Sequence, residues 1–263
     1  MTSSDAAATY APLTDSSDIV ADPTALRNRI RTDGYLFLRG SGPKDKIQAA
    51  RRDVLQLCAD AGWCDPAGRW TGVGPFTEGD AEYMAVYKHL IKLPTFLAVP
   101  EDAALMDVVG KVVDGPPMLH RLRIGRVTFP NNIAQTTAAH QDHWYIRGSQ
   151  QTYTIWLPLG DCPIQLGGLA VLPGSHEAGF IEHVSNAEKK YAGHGVRDEQ
   201  MPASRQWVAG DFAVGDVLMF HSLTIHKALP NLTPDRLRIS TDNRYQREGD
   251  EIADISKKTH YNL

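Results

Sequence analysis

Apolar and polar positions follow two different rhythms along this chain. In its first part the apolar residues recur every three or four positions. Leu26 and Ile30 lie one turn apart, and Ile47, Ala50, Val54, Leu57, Cys58 and Ala61 form a longer stripe. That is the period of a helix with one buried face. Asp22 ahead of Pro23 supplies an N-cap and a residue preset for the first helical position, so a helix is predicted over Pro23–Asp33, stopped by Gly34. The short apolar run from Tyr35 to Gly40 reads as a strand. Further helices are predicted over Ile47–Ala61, Glu82–Leu93 and Asp102–Val113, with Pro94 and Pro100 interrupting the chain between the last two. Residues 62–79 are rich in Gly and Pro and carry Trp63, Trp70 and Phe76, the composition of a loop able to serve as a lid.

After Pro116 the rhythm shortens. β-type runs at Leu119–Phe129, Thr152–Leu159, Gly168–Leu172, Asp216–Phe220 and Leu237–Tyr245 alternate with turn residues. Such spacing predicts a β-sandwich or jelly roll. The expectation is an α+β chain, mainly β, helical to about residue 115 with a β core over about 116–247. Residues 1–22, rich in Ser, Thr, Ala and Asp, read as a disordered tail, leaving 23–263 as one domain. The long segment from Ile181 to Gly210 reads as an insertion between core strands, either a second lid or a solvated excursion.

Composition removes several function classes. A net charge of −4 offers no basic surface for nucleic acid or anionic membrane. No apolar stretch approaches the ~20 residues of a membrane-spanning helix, and no basic, then apolar leader opens the chain. Cys58, Cys64 and Cys162 are too few for a disulfide framework and fit free thiols in a reducing, cytoplasmic setting. The partners expected are small molecules, with oligomeric state left open.

The chemistry concentrates around His140-Gln141-Asp142. In a strand, residues i and i+2 point to one face, so an imidazole and a carboxylate would converge on one point. A second histidine must come from elsewhere: His226, with His221 as its rival. Two histidines and one carboxylate on one face of a metal leave open positions, the usual arrangement of non-haem iron(II) oxygenases. His143, Trp144, Tyr145 and Arg147 follow directly and are candidates for the substrate entrance, or a polar loop. His89, His120, His183, His194 and His260 read as surface or structural residues, and His176 as part of a turn.

Around these residues stands an ordered series: Thr152 to Leu159 with Trp156, Gly167 to His176 with its Pro-Gly-Ser-His turn, His226 followed by Pro230-Asn231, then Arg236, Arg238, Ser240 and Tyr245. From Asp33-Gly34-Tyr35 to Tyr245 the chain resembles the phytanoyl-CoA dioxygenase (PhyH-like) family of iron(II)- and 2-oxoglutarate-dependent oxygenases. The resemblance implies a double-stranded β-helix, the cupin-like form of jelly roll, with N-terminal and flanking helices. It implies Fe(II) on His140, Asp142 and His226, and 2-oxoglutarate and dioxygen as co-substrates. The product classes implied are succinate, CO2 and a hydroxylated or otherwise oxidised small metabolite or natural-product intermediate. It implies an arginine anchor for the distal carboxylate of 2-oxoglutarate. Arg238 is preferred over Arg236, with Ser240 on the same strand face and Trp156 lining the co-substrate pocket. Asp142 stands where related halogenases have a small residue, which disfavours halogenation. Two other readings stay open at this point: a cupin-like metalloenzyme without 2-oxoglutarate, and a non-catalytic binding protein on the same barrel.

Overall fold

Asp22 accepts hydrogen bonds from the backbone N–H groups of Thr24 and Ala25, and Pro23 opens helix α1 (Pro23–Asp33). Gly34 closes it at φ 77°, where a Cβ would come within 2.5 Å of His176 Nδ1. The chain then enters β1 (Tyr35–Leu38), α2 (Lys44–Asp60), α3 (Ala81–Leu90), α4 (Pro94–Ala98) and α5 (Ala103–Val113). The rest is β2 (Pro117–Thr128), α6 (Asp142–Ile146), β3 (Tyr153–Pro158), β4 (Leu169–Val171), β5 (Val184–Ser185), β6 (His194–Gly195), β7 (Val217–His221), β8 (His226–Ala228) and β9 (Arg238–Arg247). The computed structural model describes residues 10–131, 133, 136–185, 194–202 and 206–263.

The strands form antiparallel sheets: a five-stranded sheet in the order β1-β7-β3-β9-β2, and pairs β4-β8 and β5-β6. Because side chains alternate across a sheet, the large sheet has two distinct faces. Ile155, Leu157, Val217, Met219 and Ile239 pack with the buried stripes of α1, α2, α3 and α5. The opposite face carries Trp156, Leu218 and Phe220, and along β9 the polar series Arg238, Ser240, Asp242 and Arg244. The register Trp156↔Asp242 and Thr154↔Arg244 across β3, with Thr128↔Arg238 across β2, places Arg238, Asp242 and Arg244 on the wall of one cavity.

Three expectations change. The helix predicted to Leu93 ends at Leu90, and Pro94, read as a breaker, opens the short α4 as its first residue, a position where its missing N–H costs nothing. The disordered tail expected over 1–22 does not reach Asp22. From residue 10 onward the segment is docked, Ala11 bridging to Val208, Thr14 N–H donating to the Tyr35 hydroxyl and Ser16 N–H to Phe37 O. Residues 1–9 lie outside the described residues. So does part of the insertion expected between Ile181 and Gly210; its described ends form the two-residue strands β5 and β6. Among the described residues no helix is long and apolar enough to cross a membrane.

Candidate active site

His140 and His226 face each other across an antiparallel bridge. Each donates its backbone N–H to the other's carbonyl at 3.0 Å. His140 Nδ1 lies 2.7 Å from Ala138 O, and His226 Nδ1 3.0 Å from Thr224 O. A carbonyl only accepts, so both Nδ1 atoms carry the proton and both Nε2 atoms present a lone pair. Asp142 does not share a strand with His140, as the i, i+2 argument expected. It is the first residue of α6, and the turn into that helix swings its carboxylate between the imidazoles. Oδ1 lies 3.6 Å from His140 Nε2 and 3.8 Å from His226 Nε2. The three ligand-type atoms lie within 4.8 Å of one another, and all three residues are buried.

The carboxylate is held from behind. Arg244 Nη2 donates to both of its oxygens at 3.1 Å, and the Thr154 hydroxyl donates to Oδ2. Burial opposes its charge, yet Arg244 and the two imidazoles keep the Asp142 carboxyl well below the usual carboxylate range. Burial likewise pushes His226 down to about 3, so its imidazole is neutral. A neutral His226 imidazole and an ionised Asp142 carboxylate are the protonation states a divalent metal requires of them. The donor set of two nitrogens and one oxygen fits iron(II) with positions left open.

Arg238 lines the same cavity, of about 370 Å³. It is 3% exposed, its Nη1 donates to Ser240 Oγ at 2.5 Å, and its Nε has no hydrogen-bond partner. A buried guanidinium with a free donor edge fits a carboxylate from outside the chain. Arg236, the other candidate, is exposed, pairs its backbone with Arg69 and reaches toward Asp161 O. Trp156 both lines the cavity and packs edge-on against Phe212 at 4.9 Å, so it is a core aromatic with one edge on the site.

Of the expected entrance residues, the helix that carries Asp142 sets Tyr145 on the cavity and turns the other three away. On α6, residues three and four apart share a face. Tyr145 and Ile146 therefore join Asp142 on the cavity, while His143, Trp144 and Arg147 do not line it. Trp144 instead stacks with Phe180 and His183, and Arg147 lies 4.4 Å over its ring. His143 meets Phe180 edge-on. His221 is also off the cavity: its Nδ1 accepts from Leu223 N–H, and its ring packs on Tyr153.

The far wall of the cavity holds residues that sequence patterning did not single out. Arg126, on β2, pairs with Glu78 at 2.6 Å and with Asp242 at 3.3 Å. The Tyr261 hydroxyl donates to Glu78 at 2.6 Å, and His260 Nε2 lies 3.6 Å from it. His260, read as surface or structural, thus lines the cavity, where burial pushes it down to about 4 despite Glu78. Burial raises the cost of the Glu78 charge, but Arg126 and His260 hold its carboxyl below the usual range. One signal was available in the sequence. Arg238, Ser240, Asp242 and Arg244 alternate, so one arginine on that face predicts the others.

Several buried histidines carry a pH consequence. Burial holds His120 and His221 near about 4 and His226 near about 3, below the ordinary value of about 6.5. Protonation then favours the unfolded chain. The stabilisation is complete above pH ~6.5 and is lost as pH falls toward ~4, by roughly 1–2 kcal/mol per histidine at pH ~5. The melting temperature of metal-free protein should therefore fall by about 10 °C between pH ~7.5 and ~5. A melting temperature flat across that range would contradict neutral burial of these rings.

Comparison with known proteins agrees with this geometry. The 1-deoxypentalenic acid 11-beta-hydroxylase of Streptomyces exfoliatus is 29% identical over 253 residues, covering 90% of this chain and 86% of that protein. Among solved structures, the non-heme monooxygenase ThoJ superposes with a TM-score of 0.62 at 21% identity, over 84% of this chain and 77% of its own. The epimerase SnoN from nogalamycin biosynthesis, solved with Fe3+ and alpha ketoglutarate, gives 0.54 at 22% identity, over 86% and 84%. The family model for phytanoyl-CoA dioxygenase (PhyH) matches residues 30–240, a span that takes in the bridged histidines, Asp142 and Arg238, and this chain belongs to that family.

Proposed function

We propose that this chain is an iron(II)- and 2-oxoglutarate-dependent dioxygenase that hydroxylates, or otherwise oxidises, a small metabolite or natural-product intermediate. His140, Asp142 and His226 are the residues to hold the metal, and Arg238 with Ser240 the residues to hold the distal carboxylate of 2-oxoglutarate. One observation carries the reading: a buried His-Asp-His cluster shares a cavity with a buried arginine that, among the described residues, has no carboxylate within ion-pair distance. The antiparallel sheets and the family support a double-stranded β-helix for the β core, within one oxygenase domain over residues 23–263. The hydroxylase relative and the nogalamycin epimerase support a place in secondary metabolism.

When bound, iron and 2-oxoglutarate supply dioxygen activation, with release of succinate and CO2. The residues of the chain do the rest. The carbonyls of Ala138 and Thr224 fix both imidazole tautomers, so the metal meets nitrogen lone pairs. Arg244 and Thr154 stop the Asp142 carboxylate from rotating away or taking up a proton. Arg238 would hold the distal carboxylate and so fix which end of the co-substrate faces the metal-binding residues. Ile146 and Trp156 line the cavity beside these groups and exclude water from the reacting region.

The test is an anaerobic titration of metal-free protein with iron(II) and 2-oxoglutarate, read by the weak visible charge-transfer band of a chelated 2-oxo acid. The band should form in wild type, persist in Arg236→Ala and weaken strongly in Arg238→Ala. Well-folded wild type that forms no band would remove the co-substrate from the proposal.

A further inference from the structure

The substrate-facing wall has a charge imbalance that bears on what enters the cavity. Among the described residues that line it, the cations are Arg126, Arg238 and Arg244. Arg244 is committed to Asp142, and Arg238 faces the position proposed for 2-oxoglutarate. Arg126 is shared between two carboxylates, Glu78 and Asp242. Both acids are shielded, with side chains 15% and 11% exposed. His260, which could have added a positive charge, is neutral at physiological pH. The wall therefore carries two shielded carboxylates against one guanidinium.

The two acids are not equally satisfied. Glu78 accepts from Arg126 and from Tyr261. Asp242 Oδ2 is buried and accepts no hydrogen bond, although Arg126 Nε lies 3.3 Å away in an unaligned ion pair. A buried acceptor without a donor is costly, and a ligand that brings a donor removes that cost. A ligand that brings a carboxylate meets the opposite situation. Once Arg238 is taken there is no unshared cation among the described lining residues, and two like charges stand nearby.

We propose that this site takes a substrate with an apolar body that offers a hydrogen-bond donor, a hydroxyl or an ammonium, to Asp242, and that it rejects a carboxylic acid. The inference rests on the oxygenase reading for the word substrate; the ligand preference itself comes from Asp242, Arg126 and Glu78. The apolar body has a matching surface in Leu122, Ile124, Ile146 and Ile255, which line the same cavity. Asp242 is then the specificity-determining residue, set on β9 beside the proposed co-substrate anchor.

Three probes of one shape separate the possibilities: adamantyl amine, adamantyl alcohol and adamantane carboxylate. Each is titrated by calorimetry at neutral pH into metal-free protein saturated with 2-oxoglutarate, and again under argon with iron(II) added, so that Arg238 is occupied in both. The amine and the alcohol should bind, and the carboxylate about tenfold or more weakly than the amine, a difference well within calorimetric range. In Asp242→Asn, and more weakly in Glu78→Gln, that difference should collapse, with circular dichroism confirming the fold. Wild type that binds the carboxylate as well as the amine, or binds none of the three, overturns the proposal. So does an undiminished difference in a folded Asp242→Asn protein. If the charge-transfer band never forms while the ranking holds, the oxygenase reading falls and the preference of this wall stands.

Discussion

Asp142→Ala should abolish stoichiometric iron(II) binding and also destabilise the protein. The first effect follows from losing one of three ligand-type groups that lie within 4.8 Å of one another. The second follows from what remains. Arg244 is 6% exposed in its side chain, and Asp142 is its ion-pair partner there. Removing one member of a buried pair leaves an uncompensated charge, at a cost of roughly 3–5 kcal/mol. That corresponds to a fall in melting temperature of about 10 °C for a chain of this size. Asp142→Ala combined with Arg244→Met should recover much of the stability and none of the metal. Equilibrium dialysis with iron(II) reads the ligand role, and differential scanning calorimetry reads the buried charge. Full iron occupancy in the single variant would remove Asp142 from the ligand set.

The second large effect belongs to Arg238. A bidentate guanidinium–carboxylate contact in a buried site contributes roughly 2–3 kcal/mol, so Arg238→Ala should raise the Kd for 2-oxoglutarate about 30- to 100-fold. Iron(II) affinity should stay near wild type, since Arg238 is not among the grouped ligands. Arg238→Lys should recover only part of the loss. A lysine is a point charge that cannot reproduce two parallel donors, and Ser240 would lose the hydrogen bond it now accepts from Nη1. Anaerobic titration of each variant checks this; an unchanged Kd in Arg238→Ala would place the anchor elsewhere.

Much of this site was legible in the sequence, and what was not has physical causes. His140, Asp142 and His226 were found because ligand chemistry restricts residue type and the ordered motifs restrict position. The structure does bring these three residues together in one cluster. Arg238 separates from Arg236 because β9 begins at Arg238, where the side chain lines the cavity, while Arg236 lies in the segment before the strand, bridged to Arg69 and exposed. The reasoning about His-X-Asp reached a grouping through the wrong local geometry. A five-residue helix is too short to leave a periodic signature, so α6 read as strand or loop. That error carried His143, Trp144 and Arg147 toward the cavity along with Tyr145, and hid Ile146. Glu78, Arg126, His260 and Tyr261 escaped for a different reason. They come from a loop, a strand and the last turn of the chain, and no spacing in the sequence records that they meet.

The bridge between His140 and His226 has a consequence for how the protein would age in a tube. Its two backbone hydrogen bonds, with the carbonyls behind each ring, are made by the chain alone. Zinc fingers, by contrast, fold only when metal gathers their ligands. Here a chelator should strip the metal and leave the far-ultraviolet spectrum unaltered, and the stripped protein should reload from solution without passing through an unfolded state. A preparation inactivated by metal loss or by oxidation of its iron would then be recoverable by reduction and re-addition, with no refolding step.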